Sequence, residues 1–134
     1  MKSYTDVEQS KVLAKILPIE SADMYWDYDV QKHEDYPMIM DEQFDNLCIP
    51  AWSLAALLNV LPNEIITDNR FECHYQIDIC KYDGYDNTTL YQIAYGNNRG
   101  SSGSWHDMIN TGEKENLIDA VFQMICWLKE NKKL

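Results

Sequence analysis

Asp23-Met24-Tyr25-Trp26-Asp27-Tyr28-Asp29-Val30 decides the fold class. Met24, Trp26, Tyr28 and Val30 alternate with Asp23, Tyr25, Asp27 and Asp29, and alternate side chains of a strand point to opposite faces. The spacing predicts a half-buried strand with its carboxylates in water. Gln31 to Asp35 is polar and turn-like, and Tyr36 to Met40 is a second short apolar run, so a hairpin is expected. Pro37 lacks the N–H a central strand needs, which puts this second strand at an edge or starts it late.

Upstream, Thr5 to Leu17 reads as a helix. Ser3 or Thr5 caps it, Asp6 and Glu8 sit near its positive end, and Val7, Ala14 and Leu17 fall on one face. Pro18 stops it. Downstream, Pro50 to Leu61 reads as the most buried helix, apolar around nearly its whole circumference, with Pro50 in the first turn and Pro62 at the end. Phe71 to Cys80 alternates again, with Phe71, Cys73, Tyr75, Ile77 and Ile79 on one face. Lys81 to Asn87 is a turn around Asp83-Gly84. Thr88 to Tyr95 returns as a strand, Asn97 to Gly103 is a loop, and Trp105 to Ile109 is a further strand. Glu113 to Lys132 closes the chain as a helix, with Leu117, Ala120, Val121, Met124, Trp127 and Leu128 as its buried stripe. The expected class is α+β: a single antiparallel sheet of four to five strands with three helices, in the order α-β-β-α-β-β-(β)-α. Helices should cover one face of the sheet, because its strands alternate instead of running continuously apolar.

A chain of 134 residues is expected to form a single domain, 1–134. Its 46% hydrophobic and 25% charged residues are globular proportions. The net charge of −11 is unevenly spread: Glu20 to Asp45 holds nine carboxylates against Lys32 alone. Such a balance disfavours direct nucleic-acid binding, which needs clustered Lys and Arg, and favours a basic protein partner, cations or simply solubility. No apolar run approaches the ~18 residues that span a bilayer, so no membrane role is expected. Met1 to Ile16 has no apolar signal-peptide centre. Cys48, Cys73, Cys80 and Cys126 therefore read as free, mostly buried thiols in a reducing cytoplasm.

Three islands carry a resemblance: Glu8-Gln9-Ser10-Lys11 with Ile16-Leu17-Pro18-Ile19-Glu20-Ser21-Ala22-Asp23-Met24; Ile49-Pro50-Ala51-Trp52-Ser53-Leu54-Ala55-Ala56-Leu57-Leu58 with Leu61-Pro62; and Asn116-Leu117-Ile118-Asp119-Ala120. Together they resemble a family of short uncharacterised proteins from gut Bacteroides-type bacteria and their prophages. The resemblance implies a mobile-element setting. It implies no activity, because that family has no assigned catalytic residues to carry over. The segment 27–46 lies outside it.

The acidic face of the first hairpin, Asp23, Asp27, Asp29, Glu34 and Asp35, is the leading candidate site. Same-face residues of a strand lie about 6.6–6.8 Å apart, close to the spacing of successive phosphates. Asp27 and Asp29 thus fit a surface that imitates a nucleic-acid backbone and occupies a basic partner. The plainer alternative is a solvated face that keeps an edge from pairing. Tyr25, Tyr82, Tyr85 and Tyr91 form a candidate aromatic patch for protein binding, with a tyrosine-rich sheet packed under helices as the plainer alternative.

Metal and nucleophile patterns are weak. Asp27-x-Asp29 lacks the rest of an EF-hand loop. Cys73 and His74 point to opposite faces, and no Cys-x-x-Cys pair occurs. Gly100-Ser101-Ser102-Gly103, beside His106-Asp107, has neither the Gly-x-Ser-x-Gly spacing of a nucleophile turn nor the ending of a phosphate loop. No cofactor and no catalytic residue is expected. The function expected is a non-enzymatic acidic binding or regulatory protein of a bacterial mobile element. The alternative is a small metal-dependent hydrolase using Asp27, Asp29 and neighbouring carboxylates.

Overall fold

The computed structural model of the protein describes residues 2–27, 36–67, 72–99 and 103–134. The chain divides into two compact units, Met1–Val60 and Leu61–Leu134. The class is α+β, as the sequence predicts. The expected single sheet is instead two antiparallel sheets, one of three strands and one of four.

In the first unit, helix α1 covers Val7–Ala14. Neither Ser3 nor Thr5 caps it. Asp6 does: its carboxylate accepts the Gln9 N–H at 2.8 Å, while the Gln9 side chain accepts the Asp6 N–H at 3.2 Å. Burial opposes ionisation of Asp6, but the Gln9 N–H and the Lys2 ammonium together hold its carboxyl below the usual value. Thr5 is core instead. It is fully buried, shares a hydrogen bond with Ser10 Oγ at 2.8 Å, and accepts the Trp52 N–H at 3.1 Å. That inward pull starts the helix two residues late. Its buried face is Ser10 and Leu13, while Val12 stays 42% exposed. Leu17 is buried beyond the helix end, in a tight turn where the Ile16 and Leu17 N–H groups both reach Leu13 O.

Strand β1, Met24–Trp26, lies between β2, Met38–Ile39, and β3, Ile49–Ala51, antiparallel to both. The predicted hairpin is the β1–β2 pair, with Met24 opposite Ile39. Pro37 precedes an edge strand that starts late, as its missing N–H requires. Ile49-Pro50-Ala51 is not the start of a helix. It is the other edge strand, with Pro50 opposite Tyr25, and an edge tolerates proline. Helix α2 is therefore only Leu54–Val60. Ser53 begins it, its Oγ accepting the Ala56 N–H at 3.2 Å. Trp52 is kept out of the helix: it is fully buried, and its indole N–H donates to Ser21 Oγ at 2.9 Å.

The second unit holds β4 (Glu64–Thr67), β5 (Cys73–Asp83), β6 (Thr89–Arg99) and β7 (Ser104–Asn110), ordered β4-β5-β6-β7. β5 and β6 pair from Asp83 opposite Thr89 to Gln76 opposite Gly96. The turn between them carries positive φ at Asp86 (68°) and Asn87 (59°), residue types that tolerate the left-handed region. Helix α3, Leu117–Glu130, packs on β6 and is the most buried helix, through Ile118, Ala120, Val121, Met124, Ile125 and Leu128. Its partners on the sheet include Ile93 and Tyr95, both completely buried. Ile109 shares their face and, with Met124 and Trp127, lines an open hollow of about 240 Å³. The opposite face carries Glu64, Gln76, Asp78, Trp105 and Asp107, all exposed.

β7 slips register once. Ile109 stands opposite Tyr95, yet Asp107 stands opposite Gly96, leaving Met108 as a bulge. A one-residue slip exchanges the faces of everything beyond it. Without it, Trp105 and Asp107 would share the face of Ile109, towards α3. With it, both turn to the exposed face.

Candidate functional site

All six described carboxylates between Glu20 and Asp45 are exposed: Glu20, Asp23, Asp27, Asp41, Glu42 and Asp45. Asp29, Glu34 and Asp35 lie outside the described residues. Three of the six carboxylates also support local structure. Asp23 accepts both the N–H and the hydroxyl of Ser53, which ties β1 to the start of α2. Asp41 accepts the Tyr25 hydroxyl at 3.0 Å and the Gln43 N–H at 2.9 Å. Asp45 accepts the Leu47 N–H at 2.8 Å. Glu20, Asp27 and Glu42 make no ion pair among the described residues, and the same holds for the other three. Carboxylates that face water without a cation keep their full field available to an incoming positive surface.

The rings of β1 point the other way, whereas Tyr36, just before β2, is 57% exposed. Trp26 is 7% exposed, donates its indole N–H to Thr5 O at 3.2 Å, and meets Tyr4 edge-on at 6.1 Å. Tyr25 was expected on the wet side of the strand, and is not there. It is 3% exposed and packs edge-on against Phe44 at 5.7 Å. Burial, then the hydrogen bond and charge of Asp41, push its phenol up to about 12. β1 lies between two strands and is covered on both faces, so alternation does not put one of its faces in water. Tyr25 therefore leaves the aromatic patch.

The other patch residues sit in the second unit, where Tyr82 and Tyr85 line one hollow with Leu90 and Glu113, while Tyr91 stands apart from them. Tyr82 pairs with Leu90 and Tyr91 with Lys81, adjacent rungs of the ladder, so the two rings project from opposite faces. Tyr91 is half-buried, and its backbone exchanges hydrogen bonds with Lys114. Tyr82 is half-buried, its phenol held above the ordinary range by burial and by the Glu113 carboxylate. Tyr85, at the turn, is 97% exposed.

Trp105 is the functional candidate that sequence reading missed. Its indole N–H donates to Asp107 Oδ1 at 2.6 Å, and Asp107 Oδ2 accepts from Asn110 Nδ2 at 2.9 Å. The ring lies against Gly96, where a Cβ would come within 2.7 Å of the indole. A glycine two residues from the facing position, opposite Asp107, was the available signal, but the bulge that aligns it with the ring has no period of its own.

Among the described residues, no three His, Cys, Asp or Glu side chains converge as metal ligands. The four cysteines are free thiols. The Cys80 thiol donates to Asp78 at 3.0 Å, and that carboxylate, with burial, raises its pKa. Asp107 is committed to Trp105 and Asn110, and not to its neighbour His106. No helix among the described residues is long and apolar enough to cross a membrane. No protein-family model, no curated protein and no solved structure matches the chain.

Proposed function

We propose that the protein is a non-enzymatic binding or regulatory module that receives a basic protein partner on the acidic side of its first unit. The observation that carries this reading is the division of labour along Glu20–Asp45. Its strand rings Tyr25 and Trp26 are buried and Tyr36 is exposed, while its described carboxylates are exposed and without cationic partners. Burial of the rings fixes the backbone that carries the charges, so the acids are presented from a rigid support. Pre-organised charge of one sign speeds encounter with an opposite surface and selects against like-charged partners. The sharper form is a nucleic-acid mimic, in which exposed acids such as Asp27 stand in for backbone phosphates. A prophage or other mobile-element setting, drawn from the family resemblance, gives such a protein basic nucleic-acid-binding targets.

The test is binding of a fluorescent lysine-rich peptide, measured by anisotropy at low and moderate salt. The variant Glu20→Gln/Asp27→Asn/Glu42→Gln removes charges that support no local structure. We expect it to bind roughly tenfold more weakly, about 1.4 kcal/mol, with a shallower salt dependence. Equal affinity for the wild type and the triple variant would overturn the reading. The mimic form further requires that the protein displace duplex DNA from the basic target it captures.

A further inference from the structure

We propose that the edge strand β7 is a docking site for an extended segment of another protein carrying arginine or lysine at alternate positions. The segment adds to β7 as a further strand and lays a cationic side chain over the Trp105 indole, beside the Asp107 carboxylate. This site belongs to the second unit and stands independently of the proposed acidic hairpin surface.

Three observations meet here. First, β7 ends its sheet: it pairs with β6 on one side, and no described strand lies on the other. Trp105, His106 and Asp107 are exposed along that edge. An uncovered edge offers backbone donors and acceptors to an incoming strand. Proteins usually blunt such edges, and here the bulge at Met108 confines the open stretch to Trp105–Asp107.

Second, the indole is a prepared surface. It is braced from below by Gly96 and held by the 2.6 Å bond to Asp107, which Asn110 fixes in turn. The residue is nonetheless 41% exposed. A ring fixed before binding costs little further ordering when a ligand lands on it.

Third, the charge is one-sided. The same face of the sheet carries Asp78 and Asp107, and no described lysine or arginine side chain; Glu64, on the far edge strand, already meets His74 at 3.3 Å. Lys81 belongs to the opposite face, opposite Tyr91.

The geometry then selects the ligand. Residues directly opposite on paired strands have Cβ atoms about 4.5–5.5 Å apart. That brings a long cationic side chain within the ~6 Å of a ring centroid at which cation–π attraction operates. Trp105 and Asp107 are two residues apart on one face, so the ligand is read with a period of two. Indole platforms also stack nucleobases, but the Asp107 carboxylate beside the ring and Asp78 on the same face, with no described lysine or arginine there, repel a phosphate chain.

The probe is a synthetic decapeptide of alternating threonine and arginine, followed through the Trp105 indole N–H resonance. We expect a saturable shift of that signal. Trp105→Ala, which lacks that reporter and is followed by anisotropy of the labelled peptide, should weaken binding about two- to fivefold. Asp107→Asn keeps an oxygen to hold the indole and removes the charge, so it should weaken binding and flatten its salt dependence. A peptide N-methylated at alternate amides cannot form the ladder and should bind much more weakly. The variant Asp27→Asn/Glu42→Gln should leave the Trp105 shift unchanged, which separates this site from the hairpin surface. An unmoved indole signal, or equal binding by the methylated peptide, would overturn the proposal. So would the same shift produced by a single-stranded oligonucleotide, or by protein concentration alone together with a dimer mass. The indole shift and the Asp107→Asn comparison stand even if Trp105→Ala fails to fold.

Discussion

Trp26 and Trp105 both sit in strands, one in each unit, and they meet opposite fates. Trp26 belongs to a strand three residues long, between two neighbours, and is 7% exposed. Trp105 belongs to an edge strand seven residues long and is 41% exposed. Local alternation is similar in the two places. What differs is what lies beside and above the strand. β1 is covered on both faces, so even Tyr25, on the side its neighbouring aspartates suggest is wet, is buried. In β7 the slip at Met108 turns an indole that would have joined the α3 side out to the exposed face. The pattern of a strand says which residues share a face, and the sheet around it decides whether that face is dry.

The largest expected effect breaks this comparison most simply. Trp26→Ala should cost about 3–5 kcal/mol, because it empties a core site. Trp105→Ala should cost under about 1 kcal/mol, as for an exposed residue away from the core. Equilibrium denaturation of the two variants gives both numbers, and similar costs would contradict the contrast. Next is Gly96→Ala, which places a Cβ within 2.5 Å of His106 O and 2.7 Å of the Trp105 ring. Backbone is one of the groups in the way, so about 1–3 kcal/mol should be lost, together with a displaced Trp105 indole resonance. Ser53→Ala should cost about 1 kcal/mol, since it removes the cap of α2 and one bond to Asp23. A negligible change in denaturation midpoint would show that α2 does not depend on this cap.

The smallest effect at neutral pH is that of Tyr25→Phe. It should cost less than about 1 kcal/mol, because the Asp41 carboxylate it releases is exposed and can rehydrate. Its signature lies at alkaline pH. The folded phenol is raised from an ordinary value of 10.0 to about 12. The native state therefore holds this proton more tightly than the unfolded chain does. Stability from Tyr25 is complete below about pH 10 and is lost as pH rises towards 12. The variant should lose less stability across that window. It should not lose none, because burial also holds the Tyr95 phenol above its ordinary range. Identical alkaline profiles for wild type and variant would refute the buried placement of Tyr25.

How much of this was legible depends on whether a signal has one physical cause or two. The α+β class, the first hairpin, the β5–β6 pair and β7 follow from periodicity alone; of the α3 stripe Ala120, Val121, Met124 and Leu128 do, while Leu117 and Trp127 are half-buried and Ile118 and Ile125 join the core instead. Pro50 misleads because a helix start and an edge strand both tolerate a residue without an N–H, and only pairing with β1 distinguishes them. Thr5 misleads because a hydroxyl that can cap a helix can equally serve a buried network with Ser10 and Trp52. β3 and β4 went unread because stretches of three and four residues are too short to display a period. At the candidate sites, excess charge is a property of composition and was visible. The Trp105 platform depends on Gly96, Asp107 and a bulge brought together across two strands, which no local window contains.

The most direct test of the acidic-surface account is a two-dimensional amide NMR titration of the intact protein with the lysine-rich peptide. The account predicts saturable shifts at Glu20, Asp27 and Asp41–Asp45, disappearing as salt is raised, while the buried Trp26 indole signal stays in place. Shifts confined to other surfaces, or none at all at low salt, would contradict it.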